Sequence, residues 1–335
     1  MIIIPEKIYA NNTLINKLIN SYDNNLLPNS MIFSGTKGTG KKTQVFSFII
    51  SLFKKIVKNE IKKHSNLILN NTHPNIRYIQ RLYDEKNEKL RSFIAIDQIR
   101  SLENFIYQSS FDNLPKFIIL DSADYLNRSS SNALLKILEE PKKNTYFILI
   151  SHQISILLPT IRSRCIKFYF EKIEYQDFNK ILNINTKNLN EDNLNFLYNL
   201  TNGSPGLAIK INEKKIDIIY DNIINILIKN QSLSLEIINL ANKVSKFTND
   251  EYKIFFILLR FILITITKMN LGLDLINVLS NNLYTNIKKA AHSIKPLATL
   301  EILEYLNGNE KDLFTYNLDK KIFCINIFKS LGFVK

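Results

Sequence analysis

Two stretches carry residue types and spacings that could handle a phosphate. The first is Gly35-Thr36-Lys37-Gly38-Thr39-Gly40-Lys41-Lys42-Thr43. Glycines at 35, 38 and 40 let backbone N–H groups turn inward around a phosphate. The start of a following helix adds its positive dipole end, and Lys41 would meet the β and γ oxygens. The pattern asks for Ser or Thr directly after that lysine, as a magnesium ligand; Lys42 stands there instead, with Thr43 one place late. One residue along a helix turns a side chain by about 100°, so Thr43 is no simple replacement. The loop is then either a nucleotide site with unusual metal support or a retained loop that binds nucleotide weakly or only holds the fold. A glycine-rich turn with no phosphate history is the third reading, and the flanking elements count against it.

The second stretch is 116–165. An apolar run, Phe117-Ile118-Ile119-Leu120, ends in Asp121. It reads as a buried parallel strand delivering a carboxylate to its C-terminal edge, where open α/β sheets bind ligands. Asn127 to Ser130 can start a helix that buries Leu134, Leu135 and Leu138 and stops at Pro141. A second run, Tyr146 to Ile150, is a neighbouring strand ending in Ser151, and the stretch closes on Arg162-Ser163-Arg164-Cys165.

The surrounding elements must position these groups. Residues 6–27 have helical spacing up to Leu26-Leu27-Pro28; Met31 to Ser34 is a short strand, and 44–57 is helical. Strand, glycine loop and helix in that order are the context in which a phosphate loop is credible. Residues 58–92 are polar and read as a variable surface segment with a possible strand at 76–79. An extended lead at 93–96 enters a helix with Asp97 as cap and a stripe of Ile99, Leu102, Phe105 and Ile106. After the strand-like 166–170 comes a small helical region, and then a turn with Ser204 as cap and Pro205 in the first helical position. From about 212 onward apolar residues recur every three to four places, at Ile219, Ile223 and Ile226, at Leu275, Leu279 and Leu283, and at Leu297, Leu300 and Leu303. That pattern predicts an all-helical domain of five or six helices.

A hydrophobic content of 45% with 22% charged residues is that of a soluble globular chain, long enough at 335 residues for two or three cores. The formal charge of +14 fits either a nucleic-acid field or compositional drift, since 36 of the 44 basic residues are lysine in a chain rich in Asn and Ile. Cys165 and Cys324 suggest neither a zinc cluster nor a disulfide framework, and the four histidines have no ligand spacing. The apolar run Ile254 to Ile264 contains Arg260 and is shorter than the ~20 residues of a membrane span. With no signal peptide apparent, the expectation is a cytoplasmic protein without a membrane partner.

Taken together, the glycine loop, Asp97-Gln98-Ile99-Arg100, Asp121-Ser122-Ala123-Asp124, Asn132-Ala133-Leu134-Leu135-Lys136 through Glu139-Glu140-Pro141, Ser163-Arg164-Cys165 and Gly203-Ser204-Pro205-Gly206 resemble the bacterial clamp-loader subunits of DNA polymerase III, within the AAA+ ATPase superfamily. The resemblance covers roughly residues 5–210 and is greatest to the delta-prime type. It implies an α/β fold: an AAA+ parallel-sheet domain (1–170), a small helical lid (171–210) and a helical collar (211–335). It implies partners, too: motor ATPase and delta-like subunits in a pentameric ring, with the sliding clamp and primer-template DNA reached through the complex.

By the same resemblance Gly35, Gly38, Gly40, Lys41, Thr43, Asp121 and Ser151 form a degenerate nucleotide site, and Arg164 matches the arginine finger offered to a neighbour's ATP. Ser122 stands where active members have the water-activating glutamate, and Gly206-Leu207 where they have a sensing arginine. ATP binding is then weak or absent and the chain itself a weak or inactive ATPase within the polymerase holoenzyme. The family's four zinc-binding cysteines are missing from 58–76, so zinc is not expected. The rival readings are an ATP-hydrolysing motor subunit of the same machine and a DNA-binding scaffold without ATP turnover.

Overall fold

Met31, Ile32 and Phe33 are all buried, so the strand they form, β1 (Ser30–Ser34), is covered on both faces. In a computed structural model, which describes residues 12–85, 89–186, 189–214, 217–231, 234–273, 281–329 and 331, the chain divides into two units, residues 1–177 and 178–335.

In the first unit β1 follows α1 (Asn12–Asp23) and leads through the glycine loop into α2 (Lys41–Val57). Next come α3 (Ile61–Leu69), β2 (Ile76–Ile79), the two-residue strands β3 (Tyr83–Asp84) and β4 (Lys89–Leu90), and α4 (Ile96–Tyr107). The unit continues with β5 (Lys116–Leu120), α5 (Arg128–Glu139), β6 (Thr145–Ser151), α6 (Pro159–Arg164) and β7 (Ile166–Tyr169). Five strands make one parallel sheet in the order β2-β5-β6-β1-β7. The two-residue side-chain period splits its core in two. Met31, Phe33, Phe117, Ile119, Ile148 and Ile150 pack with α1, α2 and α3 on one face; Ile32, Ile118, Leu120, Phe147 and Leu149 pack with α4, α5 and α6 on the other. Continuous apolar strands follow from this burial on both sides.

The register brings the ligand-bearing strand ends together. Ser34 pairs with Ser151 and Leu120 with Leu149, so the glycine loop, Asp121 and Ser151 share one sheet edge. The N–H of Gly35 donates to the carbonyl of Ser151 at 3.3 Å. Gly35, at φ 154°, has no room for a side chain, because a Cβ there would lie 2.4 Å from the carbonyl oxygen of Phe170.

Two expectations change. Residues 58–92 are not all surface: His64, Ile68, His73 and Asn75 are buried, and β2 is an edge strand of the main sheet. The two buried histidines pair with each other. The N–H of Asn75 donates to Nδ1 of His73 (3.1 Å), which leaves the His73 proton on Nε2, facing Nδ1 of His64 at 2.9 Å. Asp97 lies in the first turn of α4 rather than at its cap; Ala95 is the cap residue, its N–H donating to Oε1 of Gln98 at 3.1 Å. The stripe Ile99, Leu102, Phe105, Ile106 is buried as expected.

Among the described residues the second unit is all helical. After α7 (Tyr175–Asn185), which crosses the unit boundary, come α8 (Glu191–Leu200), α9 (Pro205–Glu213), α10 (Asp217–Lys229), α11 (Leu235–Val244), α12 (Asn249–Asn270), α13 (Asn281–Ser293), α14 (Pro296–Thr315) and α15 (Lys320–Ile327). Ser204 caps α9, its Oγ accepting from the N–H of Leu207. The apolar run of 254–264 lies within α12, and Arg260 pairs with Glu310 at 2.5 Å. No helix of the described residues is long and apolar enough to cross a membrane. Ile223 and Ile226 are buried, but α14 turns Leu297 and Leu300 to solvent and buries Thr299, Ile302, Leu306 and Leu313. Leu275 and Leu279 lie outside the described residues.

Candidate functional site

The glycine loop closes on its own lysine. Gly38 and Gly40 hold left-handed conformations (φ 87° and 82°), and α2 begins directly after Gly40. Lys41 is 3% exposed. Its Nζ donates to the carbonyls of Gly35 (2.5 Å) and Thr36 (2.6 Å), and Thr39 Oγ1 also donates to Thr36 O at 2.9 Å. Burial pulls the Lys41 ammonium down to about 8, against the opposing pull of Asp124 and Asp121. Thr43 is half-buried one residue beyond Lys42 on α2.

Asp121 is engaged on both oxygens. The Tyr78 hydroxyl, from β2, bonds to Oδ2; Lys42 Nζ lies 3.8 Å from the same oxygen, and Ser122 Oγ donates to Oδ1 at 3.3 Å. Burial, and then the charge of Asp121, raise the Tyr78 pKa, so the phenol keeps its proton. Lys42 also sits over the Tyr78 ring, 4.4 Å from its centre.

Asp124 ties the next strand end together. Its Oδ1 accepts from Ser151 Oγ (2.7 Å) and the Gln153 N–H (3.1 Å), and its Oδ2 accepts from the His152 N–H (2.7 Å). A carboxylate taking three hydrogen bonds from one turn fixes that turn and has little left to offer a water molecule. His152 Nε2 faces Ser122 Oγ at 3.1 Å, and burial first, then the nearby Lys41, hold its pKa below the usual value.

Arg164 stands apart from this network, at the end of α6. Its side chain is 37% exposed; Nη2 donates to Glu139 Oε1 at 2.8 Å and Nη1 to Thr160 O at 3.1 Å. Its neighbour Cys165 is a core residue, whose thiol burial pushes up to about 11. The structure thus gathers Gly35, Gly38, Gly40, Lys41, Asp121 and Ser151 at one sheet edge and sets Arg164 on a separate helix end. Tyr78, His152 and Glu139 had no signal in sequence as partners of these groups. Asp124 had only its nearness to Asp121.

The fold family pairs this kind of loop with a magnesium nucleotide, and the donor set here does not fit a divalent cation. Such a cation needs oxygen ligands. The place of its hydroxyl ligand is taken by the Lys42 ammonium, and both Asp121 oxygens already accept hydrogen bonds.

The sequence pattern of the family described as "DNA polymerase III, delta subunit" matches residues 10–174. The DNA polymerase III subunit delta' of Pseudomonas aeruginosa is 41% identical over 105 residues, 31% of this chain and 30% of that protein. The DNA polymerase III subunit gamma of Buchnera aphidicola is 26% identical over 254 residues, 72% of this chain and 65% of that protein. The match thus spans less than two thirds of either relative's own length. A solved structure of a gamma-subunit-related protein from Thermotoga maritima is similar over 94% of this chain and 97% of that one, with 16% identity and a TM-score of 0.41. Over residues 10–174, with its parallel sheet and glycine loop, the chain is similar to clamp-loader proteins, and these matches support a protein of the delta-prime type with the AAA+ fold.

Proposed function

We propose that the chain is a subunit of a DNA polymerase III clamp loader that turns over little or no ATP itself and offers Arg164 to ATP held by a neighbouring subunit. The observation that carries this reading is the contrast between the two sites. The charged groups at the chain's own loop are already engaged, Lys41 by the Gly35 and Thr36 carbonyls, Asp121 by Tyr78 and Asp124 by Ser151, and Ser122 supplies no general base. Among the described residues Arg164 is held by a surface carboxylate, Glu139, and by the carbonyl of Thr160. An arginine supplied in trans stabilises charge on the transferring phosphoryl group and is worth about 10³–10⁵ in rate in GTPases, so a subunit without turnover of its own can still complete a partner's site.

In this reading residues 171–210 act as a lid and 211–335 as a collar in a pentameric cytoplasmic ring with motor and delta-like subunits, and the ring places a sliding clamp on primed DNA. The test is reconstitution with candidate motor and delta-like subunits. R164A lowers single-turnover ATP hydrolysis at the served site by at least about tenfold while the assembled complex elutes unchanged. An unaltered rate removes the assignment. The motor reading, favoured by the long match to a gamma subunit, requires turnover by the chain alone.

A further inference from the structure

We propose that Lys42 stands in for the divalent cation at the glycine loop, so that whatever hold this loop has on a nucleoside polyphosphate is independent of metal. In a phosphate loop the cation sits between the hydroxyl after the lysine and the acid at a neighbouring strand end. Both of those positions are known here. The first is Lys42; the second is Asp121, and the Lys42 Nζ lies 3.8 Å from Asp121 Oδ2. A side chain from the ligand position therefore delivers a positive charge to the acid that would otherwise hold the metal. The Tyr78 ring steadies the ammonium from one side at 4.4 Å, and the Tyr78 hydroxyl occupies the same Asp121 oxygen.

Three physical consequences exclude metal from that position. A magnesium ion there would lie beside the Lys42 ammonium and be repelled by it. It would have to displace the hydroxyls of Tyr78 and Ser122 from Asp121, two neutral donors already in place. It would also lack the hydroxyl oxygen that completes its shell, since an ammonium has no lone pair to give. A polyphosphate meets the opposite situation: Lys42, together with Lys41 once it leaves the carbonyls of Gly35 and Thr36, would set two ammonium groups beside the N–H groups at the start of α2, an anion-binding arrangement without metal.

The inference rests on reading this loop as a remnant phosphate site in a subunit that acts through Arg164. It is tested on the isolated full chain, in which Arg164 serves no neighbour, so either reading can fail alone. Binding of a non-hydrolysable ATP analogue is measured by titration calorimetry with magnesium and with EDTA, for the native chain, K42T and K42T/Y78F. The expected result is less than about a twofold effect of magnesium on the native chain, including no detectable heat in either condition. A gain of at least about tenfold with magnesium is expected in K42T or in the double variant. Thermal melts confirm that the variants are folded, and K42S replaces K42T if that chain does not fold. Tenfold tighter binding by the native chain with magnesium overturns the proposal, as does a folded set of variants in which magnesium brings no gain.

Discussion

Arg164 and Glu139 are joined across two helix ends: Nη2 of the arginine, on α6, lies 2.8 Å from Oε1 of the glutamate at the end of α5. Both side chains are partly exposed, 37% and 51%, and pairs of this kind contribute only about 0–1 kcal/mol. The contact therefore orients the guanidinium without trapping it. In the reconstituted complex E139Q is expected to change ATP hydrolysis by less than about fivefold, well short of the effect of R164A. Equal losses in the two variants would show that Glu139 does more than orient its partner.

The purified chain alone is expected to release no phosphate from ATP above a blank, and K41A is expected to leave that baseline unchanged. Lys41 is bonded to Gly35 and Thr36, and no glutamate follows Asp121. Turnover that K41A abolishes would return the motor reading to first place.

Stability should fall on mild acidification because of the buried histidine pair. Burial, and then neighbouring His64, bring the His73 pKa down to about 4, whereas an unfolded chain takes up the proton near pH 6.5. Between those values the unfolded state binds more protons, so this contribution is intact above pH 6.5 and is lost as pH falls toward 4. At about 1.4 kcal/mol per pH unit the loss amounts to roughly 3 kcal/mol. Urea midpoints measured across that range should decline, and H73Q should flatten this part of the profile.

The two glycines that bracket the loop should differ in tolerance. At Gly35 a Cβ meets the carbonyl oxygen of Phe170 at 2.4 Å, so G35A must shift β7 or the loop and is expected to cost at least about 2 kcal/mol. At Gly40, φ 82°, a Cβ meets nothing within 4 Å, and G40A carries only the left-handed backbone cost of about 1 kcal/mol. Similar losses in thermal or urea melts would contradict this difference.

What could be read from sequence was local. The strand–loop–helix order around residues 30–57, the helix start within 127–130, the cap at Ser204 and the buried stripe of α4 each depend on residues a few places apart, and each is in the structure. Short-range periodicity and the conformational needs of glycine and proline suffice for such features. The same reasoning missed the histidine pair of 58–76, because polar side chains in a polar segment look like surface until the fold brings them together.

The pairings that give the site its character were decided by tertiary structure alone. Tyr78 reaches Asp121 because β2 lies beside β5, and Ser151 reaches Asp124 because β6 lies beside β5. Lys42 could be seen in sequence as a missing hydroxyl, but its placement against Asp121 is set by the crossovers of the parallel sheet. Strand order joins residues dozens of positions apart, and no local propensity encodes it. Sequence alone could state which metal ligand was lost. Only the folded sheet shows the ammonium that stands near its place.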